Sequence, residues 1–244
     1  MPMLKIPPPG SATRSAPATR LPRPAPAPPA APREASREAA VETPYERYLR
    51  TFPEGMKGDL IHGEAVIDMS TTVLHERLFS FLFRLMADYA EARGLGEVLG
   101  SRTLVKVDDE NGYEPDVLFI RADRAGIVGE RDVTAAVDVA VEIVSKTSGT
   151  RDRETKFEGY QRLGVPEYWL VDPIRVEAAF YRLGADGAYR AVPLVDGVFE
   201  SEALPGFRLD PQIVFADPLP AVLPLLREML DAASAADASP ASAA

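Results

Sequence analysis

The sequence contains no cysteine and only two histidines, His62 and His75. A disulfide framework, thiolate zinc sites and a cysteine nucleophile are thereby excluded, and a multi-histidine zinc site has too few ligands. No apolar run reaches about 18 residues, so no segment is suited to span a membrane and a cytoplasmic location is expected. Positive charge is scarce: 27 Lys and Arg stand against 37 Asp and Glu, a formal net charge of -10. That balance opposes broad non-specific attraction to nucleic acid, which depends on neutralising phosphates, but it leaves room for a local basic groove. The phosphate-cradling P-loop, the dinucleotide G-x-G-x-x-G fingerprint and the G-x-S-x-G nucleophile elbow are missing as well.

What is present suits one soluble α/β (α+β) domain with tails: 244 residues, 46% hydrophobic and 26% charged. Residues 1–43 are rich in proline and alanine and cannot bury a core, so they read as a disordered or polyproline-II tail. Their scattered arginines resemble a targeting segment only faintly, without a secretory apolar region. Globular composition runs over residues 44–233, and residues 234–244 form an alanine/serine tail.

Within the domain, Thr43 and Glu46 have capping-box spacing ahead of a short helix. Asp59 to Ser70 alternates around His62-Gly63 and reads as a hairpin, with Glu64 just after its turn. Leu74 to Arg93 carries Leu78, Leu82, Leu85, Met86 and Tyr89 at helical spacing and ends at Gly94. Glu97 to Val107 reads as one strand, Asp116 opens another, and Val137 to Ser145 is a third. Arg121 to Thr134 is polar, hence a loop or short helix. Ser148 or Thr150 can cap a helix running to Leu163, and Gly164-Val165-Pro166 ends it. A strand at Tyr168 to Val171, a hairpin around residues 184–187, a short edge strand at Gly206 to Leu209 and a helix at Leu219 to Ala233 complete a mixed central sheet flanked by helices.

Chemistry concentrates between Tyr113 and Pro173. In VDVAVEIVS, period two puts Asp138, Ala140, Glu142 and Val144 on one face. A carboxylate inside a strand is costly unless it binds a metal, a proton or a cation. If the strands of Asp116 and Glu142 are adjacent, both carboxylates can converge on one ion at about 2.1 Å, and oxygen ligands favour magnesium or manganese. The bound ion would suit phosphodiester chemistry, with Lys156, one helical turn from Asp152 and Tyr160, orienting the attacking water. Glu64 supplies a third carboxylate if its hairpin reaches the site. Residue by residue, plainer roles stay open: Asp116 capping a turn, Glu142 paired with an arginine, Lys156 an exposed partner of Asp152. His75 reads as a cap or packed residue, Tyr160 and Trp169 as core. Arg151, Arg153, Arg162 and Lys146 form either a solvated face or a phosphate patch.

The runs PDVLFI and VEIVSKTSGTRDRETKFEGYQRLGVPEYWLVDP, with HGEAVIDMS and a helix opening at His75 upstream, resemble the Uma-type family of restriction-endonuclease-like proteins, within the PD-(D/E)XK nuclease superfamily. The resemblance covers Asp59 to Pro173 well and extends loosely to about Ala233. It implies a restriction-endonuclease-like fold and a magnesium-dependent endonuclease acting on DNA, a class that often works as a homodimer. By the same resemblance Asp116 matches the PD aspartate, Glu142 the acid of (D/E)XK, and Glu64 the glutamate of the early hairpin. Val144 stands where the motif lysine is expected, and Lys156 takes the family's alternative place on the following helix. Lys146-Thr147 replaces the usual proline after Ser145, which makes Lys146 a competitor for the lysine role. The alternative from another class is an inactive nuclease-fold module that binds nucleic acid or a protein partner.

Overall fold

The computed structural model describes residues 41–53, 55–67, 72–146 and 148–238. The N-terminal tail up to residue 40 and the end of the chain lie outside the described residues. In chain order come α1 (Pro44–Thr51), β1 (Gly58–Ile61), β2 (Glu64–Ile67), α2 (Val73–Arg93), β3 (Gly96–Gly100), β4 (Leu104–Lys106), β5 (Gly112–Tyr113) and β6 (Val117–Arg121). There follow β7 (Asp132–Val133), β8 (Val139–Ile143), a π-helical turn (Arg151–Lys156) running into α3 (Phe157–Leu163), and β9 (Glu167–Asp172). The chain continues with β10 (Glu177–Leu183), β11 (Tyr189–Ala191), β12 (Phe199–Glu200), β13 (Arg208–Leu209) and α4 (Val222–Asp237).

Six strands form the larger sheet in the order β11-β10-β9-β8-β6-β3, and five form a smaller one, β2-β1-β5-β4-β7. In the larger sheet only the β8–β9 pair is parallel. Parallel neighbours need a crossover, and here the π-turn and α3 supply it. The period of two then sorts the side chains. Val117, Phe119, Val139, Val141, Trp169 and Val171 face Leu82, Leu85 and Met86 of α2 and Met229 of α4. Leu118, Ala140, Tyr168 and Leu170 face Tyr160 of α3 together with Tyr113 and Val105 of the smaller sheet. Glu142 alternates with Val141 and Ile143 and therefore enters this second layer.

Local signals act as expected at several places. Thr43 and Glu46 close a capping box on α1, with bonds of 2.8 and 3.1 Å. Thr72 caps α2, and Gly94 ends it in the left-handed region at φ 63°. His62 and Gly63, with φ of 50° and 80°, turn β1 into β2 in the two-residue hairpin geometry that needs positive φ at both positions. Gly159 is required for a different reason: a Cβ there would strike the Tyr113 ring, so its absence lets α3 lie against β5.

Two expectations change. The single strand read over Glu97 to Val107 is two strands in different sheets: Gly96–Gly100 pairs with β6, whereas Leu104–Lys106 pairs with β5 and β7. The break is a tight turn in which Arg102 N–H donates to Gly100 carbonyl oxygen at 2.8 Å. The helix start also differs. Thr150 makes no capping bond, and Ser145 and Ser148 instead bond each other reciprocally, Ser148 N–H to Ser145 Oγ at 3.1 Å and Ser145 N–H to Ser148 Oγ at 3.0 Å. Among the described residues no helix is long and apolar enough to cross a membrane.

Candidate active site

Strands β6 and β8 run antiparallel with Val117 opposite Val141, and one step further along the same register sets Asp116 opposite Glu142. Opposite residues of an antiparallel pair project to the same side, so both carboxylates reach one end of the second layer. Asp116 Oδ2 accepts a 2.7 Å hydrogen bond from Ile143 N–H, which fixes its orientation across the strand pair. His75 Nε2, from the first turn of α2, lies 3.3 Å from the same oxygen, and the Lys57 ammonium contacts Oδ1. Burial alone would raise the Asp116 pKa; the His75 hydrogen bond and the Lys57 charge outweigh it and hold the carboxyl below its ordinary range.

Glu142 has the opposite balance. Its Oε1 accepts from Lys156 Nζ at 2.8 Å and from Tyr160 hydroxyl at 2.9 Å. Burial nevertheless pushes its pKa up to about 8, opposed by Lys156 and reinforced by Asp152, Asp116 and Asp59. Lys156 is 1% exposed and its own pKa is raised, because Asp59, Glu142 and Asp152 together outweigh its desolvation. Its Nζ stands 3.2 Å from Asp59 Oδ2 and 3.8 Å from Asp152 Oδ1. Asp59 Oδ2 also faces Arg151 Nε at 3.2 Å. Four buried carboxylates (Asp59, Asp116, Glu142, Asp152) thus meet three permanent cations (Lys57, Lys156, Arg151). Both oxygens of Asp152 are buried without a hydrogen-bond partner among the described residues. Buried acids short of donors and of positive charge attract a cation.

Part of this set borders an open cleft of about 380 Å³, whose wall includes Lys57, His75, Arg102, Asp116, Glu142 and Asp152, whereas Asp59, Arg151 and Lys156 lie behind it. Of the residues singled out from sequence, Asp116 and Glu142 are brought together there. Lys156 reaches Glu142 but from behind, and it forms no part of the cleft wall. Glu64 is not brought to the site: it is exposed beside the hairpin turn, opposite Ile61, and the strand beyond it presents Ile67 to the cleft instead. Lys146 is exposed, outside the cleft wall. Tyr160 and Trp169 are core residues, 0% and 1% exposed. The arginines read as a face or a patch are engaged by acids, Arg153 with Asp172 at 2.6 Å and Arg162 with Asp108 at 2.9 Å. Among the described residues, no three His, Asp or Glu side chains are already arranged around one metal position.

Sequence reasoning missed Lys57, Asp59, Arg102 and the orphaned carboxylate of Asp152. Asp59 lies in β1 and Lys57 just before it, and their nearness to Lys156 depends on how the two sheets stack, which no local pattern encodes. For His75 the capping position was legible and its contact with Asp116 was not.

Against known proteins, no curated protein matches the chain. A solved structure from Anabaena variabilis, described as a "putative nuclease belonging to DUF820", superposes with a TM-score of 0.54 at 13% identity, covering 65% of this chain and 89% of that one. At that identity the likeness speaks for the fold, which is restriction-endonuclease-like. The Uma2 family, described as "Putative restriction endonuclease", matches residues 44–212, which hold β1 through β13 and every wall residue of the cleft, and the chain belongs to this family.

Proposed function

We propose that the protein is a divalent-metal-dependent endonuclease that hydrolyses DNA phosphodiester bonds in the cleft at Asp116 and Glu142. The observation that carries this reading is the pair of buried carboxylates set opposite each other on β6 and β8, facing one cleft with more acids around it than permanent cations. The donor set fits magnesium or manganese: such ions commonly use one or two protein carboxylates and complete their shell with water and substrate phosphate, so the lack of a ready-made three-ligand cluster does not oppose it. Asp116 and Glu142 would hold the ion, with Asp152, whose Oδ1 stands 3.8 Å from Lys156 Nζ, nearby. When bound, the ion supplies Lewis acidity toward the phosphate and a water of lowered pKa.

The chain's own residues do the rest. Ile143 N–H and His75 orient Asp116. Lys156 and Tyr160 grip Oε1 of Glu142 and fix the carboxylate from behind. Asp59 in turn steadies Lys156. Glu64 has no part in this arrangement. Arg102, on the cleft wall and exposed, is available to a DNA backbone despite the acidic net charge.

A second reading, a nuclease-fold module that binds without cleaving, is favoured by the Lys57 ammonium standing on Asp116. Titration of magnesium and manganese into the wild type and Glu142→Gln by calorimetry, followed by incubation with plasmid DNA, separates the two. Metal binding and cleavage lost together in Glu142→Gln are expected. Metal binding without cleavage of any DNA tested would favour the binding module, and no metal binding even with duplex present would sink the metal site.

A further inference from the structure

The two lysines beside the carboxylates are placed differently. Lys156 sits behind Glu142, held by three acids and shut off from the cleft. Lys57 is on the cleft wall, its side chain 15% exposed, with its ammonium on Asp116 Oδ1. The root of Lys57 is fixed. Its neighbour Gly58 donates its N–H to Glu114 Oε2 at 3.1 Å and accepts from the Tyr48 hydroxyl at 2.6 Å through its carbonyl oxygen. A Cβ at Gly58 would crowd the Phe52 ring, so the entry into β1 admits little other geometry. From this fixed root the ammonium moves on a flexible four-carbon stem.

An ammonium on Asp116 and a divalent ion on the same carboxylate compete: both need its lone pairs, and they repel each other at short range. We infer that Lys57 and the divalent metal ion exchange at Asp116, and that the displaced ammonium is the lysine that contacts the phosphate being cleaved. The inference rests on the nuclease reading above. It gives the two lysines separate tasks: Lys156 keeps Glu142 in place, and Lys57 holds Asp116 neutralised until metal enters, then serves the substrate. No bond other than hydrogen bonds and metal–oxygen contacts forms or breaks in the exchange.

The test compares the wild type, Lys57→Met and Lys57→Arg. Methionine keeps an unbranched stem and removes the charge. In calorimetric titrations with manganese, Lys57→Met is expected to bind about tenfold more tightly than the wild type, since one charge-assisted hydrogen bond no longer has to be broken. Lys57→Arg should bind no more tightly than the wild type. Binding of a short fluorescent duplex is then followed over a salt series, with calcium replacing manganese to suppress cleavage. Loss of one phosphate contact in Lys57→Met should lower the slope of log affinity against log salt by about 1, and Arg102→Met provides a cleft-wall reference for the size of that change. Unchanged or weaker manganese binding in Lys57→Met overturns the exchange, and an unchanged salt slope overturns the phosphate contact. Failure of both the wild type and Lys57→Met to bind manganese, with or without duplex, would instead overturn the nuclease reading itself. Should Lys57→Met not fold, Lys57→Gln carries the same readouts.

Discussion

Two buried glutamates stand at opposite ends of the same strand pair, and they live differently. In the β8–β9 register, Glu167 lies opposite Val139 and Glu142 opposite Leu170. Glu167 accepts from Trp169 Nε1 at 3.1 Å, Ser201 hydroxyl at 2.8 Å, Glu202 N–H at 2.7 Å, Ala203 N–H at 3.3 Å and Arg182 at 3.3 Å. Donors reach both of its oxygens, and through them it clasps the segment after β12 onto the sheet. Both bonds described for Glu142 end on Oε1, and its surroundings add three more acids. On the function proposed above, the saturated carboxylate holds the fold together, whereas the undersupplied one, open to a cleft, is left for a cation. Burial does not tell the two acids apart, since both residues are nearly inaccessible, and only their supply of donors differs.

The sharpest way to break the contrast is to neutralise each acid. Glu142→Gln should reduce metal binding and DNA cleavage to background and leave the melting temperature unchanged or higher. Glu167→Gln should do the reverse, lowering stability by about 2–3 kcal/mol in urea titrations while the folded fraction binds metal normally. A Glu142→Gln protein that still cleaves DNA would remove the site reading. Lys156→Met comes next. It strands Asp59, Glu142 and Asp152 without their common cation, and a loss of about 3–5 kcal/mol is expected for breaking a buried ion pair at one partner.

The pH dependence carries a definite sign. Glu142 has a folded pKa of about 8 against an ordinary 4.5, so the metal-free fold binds its proton more tightly than the unfolded chain does. The stability it contributes is complete below about pH 4.5 and is lost as pH rises through about 8. Asp116, shifted downward, contributes stability that is lost only when pH falls below its ordinary 3.8. Urea melts of wild type and Glu142→Gln between pH 5 and 8.5 should therefore converge toward low pH and separate toward high pH. Metal affinity should climb over the same range as Glu142 gives up its proton. A wild-type profile parallel to that of Glu142→Gln would contradict the raised pKa.

Smaller effects test the scaffold. Gly159→Ala should cost about 1–3 kcal/mol by forcing α3 off the Tyr113 ring, with some loss of metal affinity as Lys156 shifts. Glu64→Gln should change neither metal binding nor cleavage, and any large effect would mean that the hairpin reaches the site in a state other than this one.

Much of the frame was legible because its signals are local. The alternation in VDVAVEIVS placed Glu142 correctly among inward residues, the apolar spacing of α2 gave its length, and Thr43, Gly94 and Gly164 marked ends through their own backbone chemistry, whereas the Thr72 cap of α2 went unread. The division of residues 96–106 between two sheets was hidden, because Gly96–Gly100 and Leu104–Lys106 are each plausible strands and only their distant partners decide which sheet receives them. The site divides the same way. Asp116 and Glu142 could be paired from two neighbouring strands, whereas Lys57, Asp59 and His75 arrive from elements more than 40 residues away in sequence, Asp116 to His75 being 41. Lys156 could be assigned to its helix but not to the blind side of Glu142, which depends on how deeply the crossover sinks between the sheets.

The π-helical turn at Arg151–Lys156 has a consequence for this last point. A π-turn is a helix carrying one residue more than its flanks need, and an α-helix advances about 100° per residue. Removing one residue there, for instance the exposed Glu154, would let the segment relax into an ordinary helix and turn Asp152 by roughly that angle relative to Lys156 and Tyr160. The six-residue stretch therefore acts as a phase adjustment between the mouth of the cleft and the hydrophobic layer beneath it. One residue of chain length decides whether the acid near its start, on the cleft wall, stays within reach of the lysine at its end, 3.8 Å away behind Glu142.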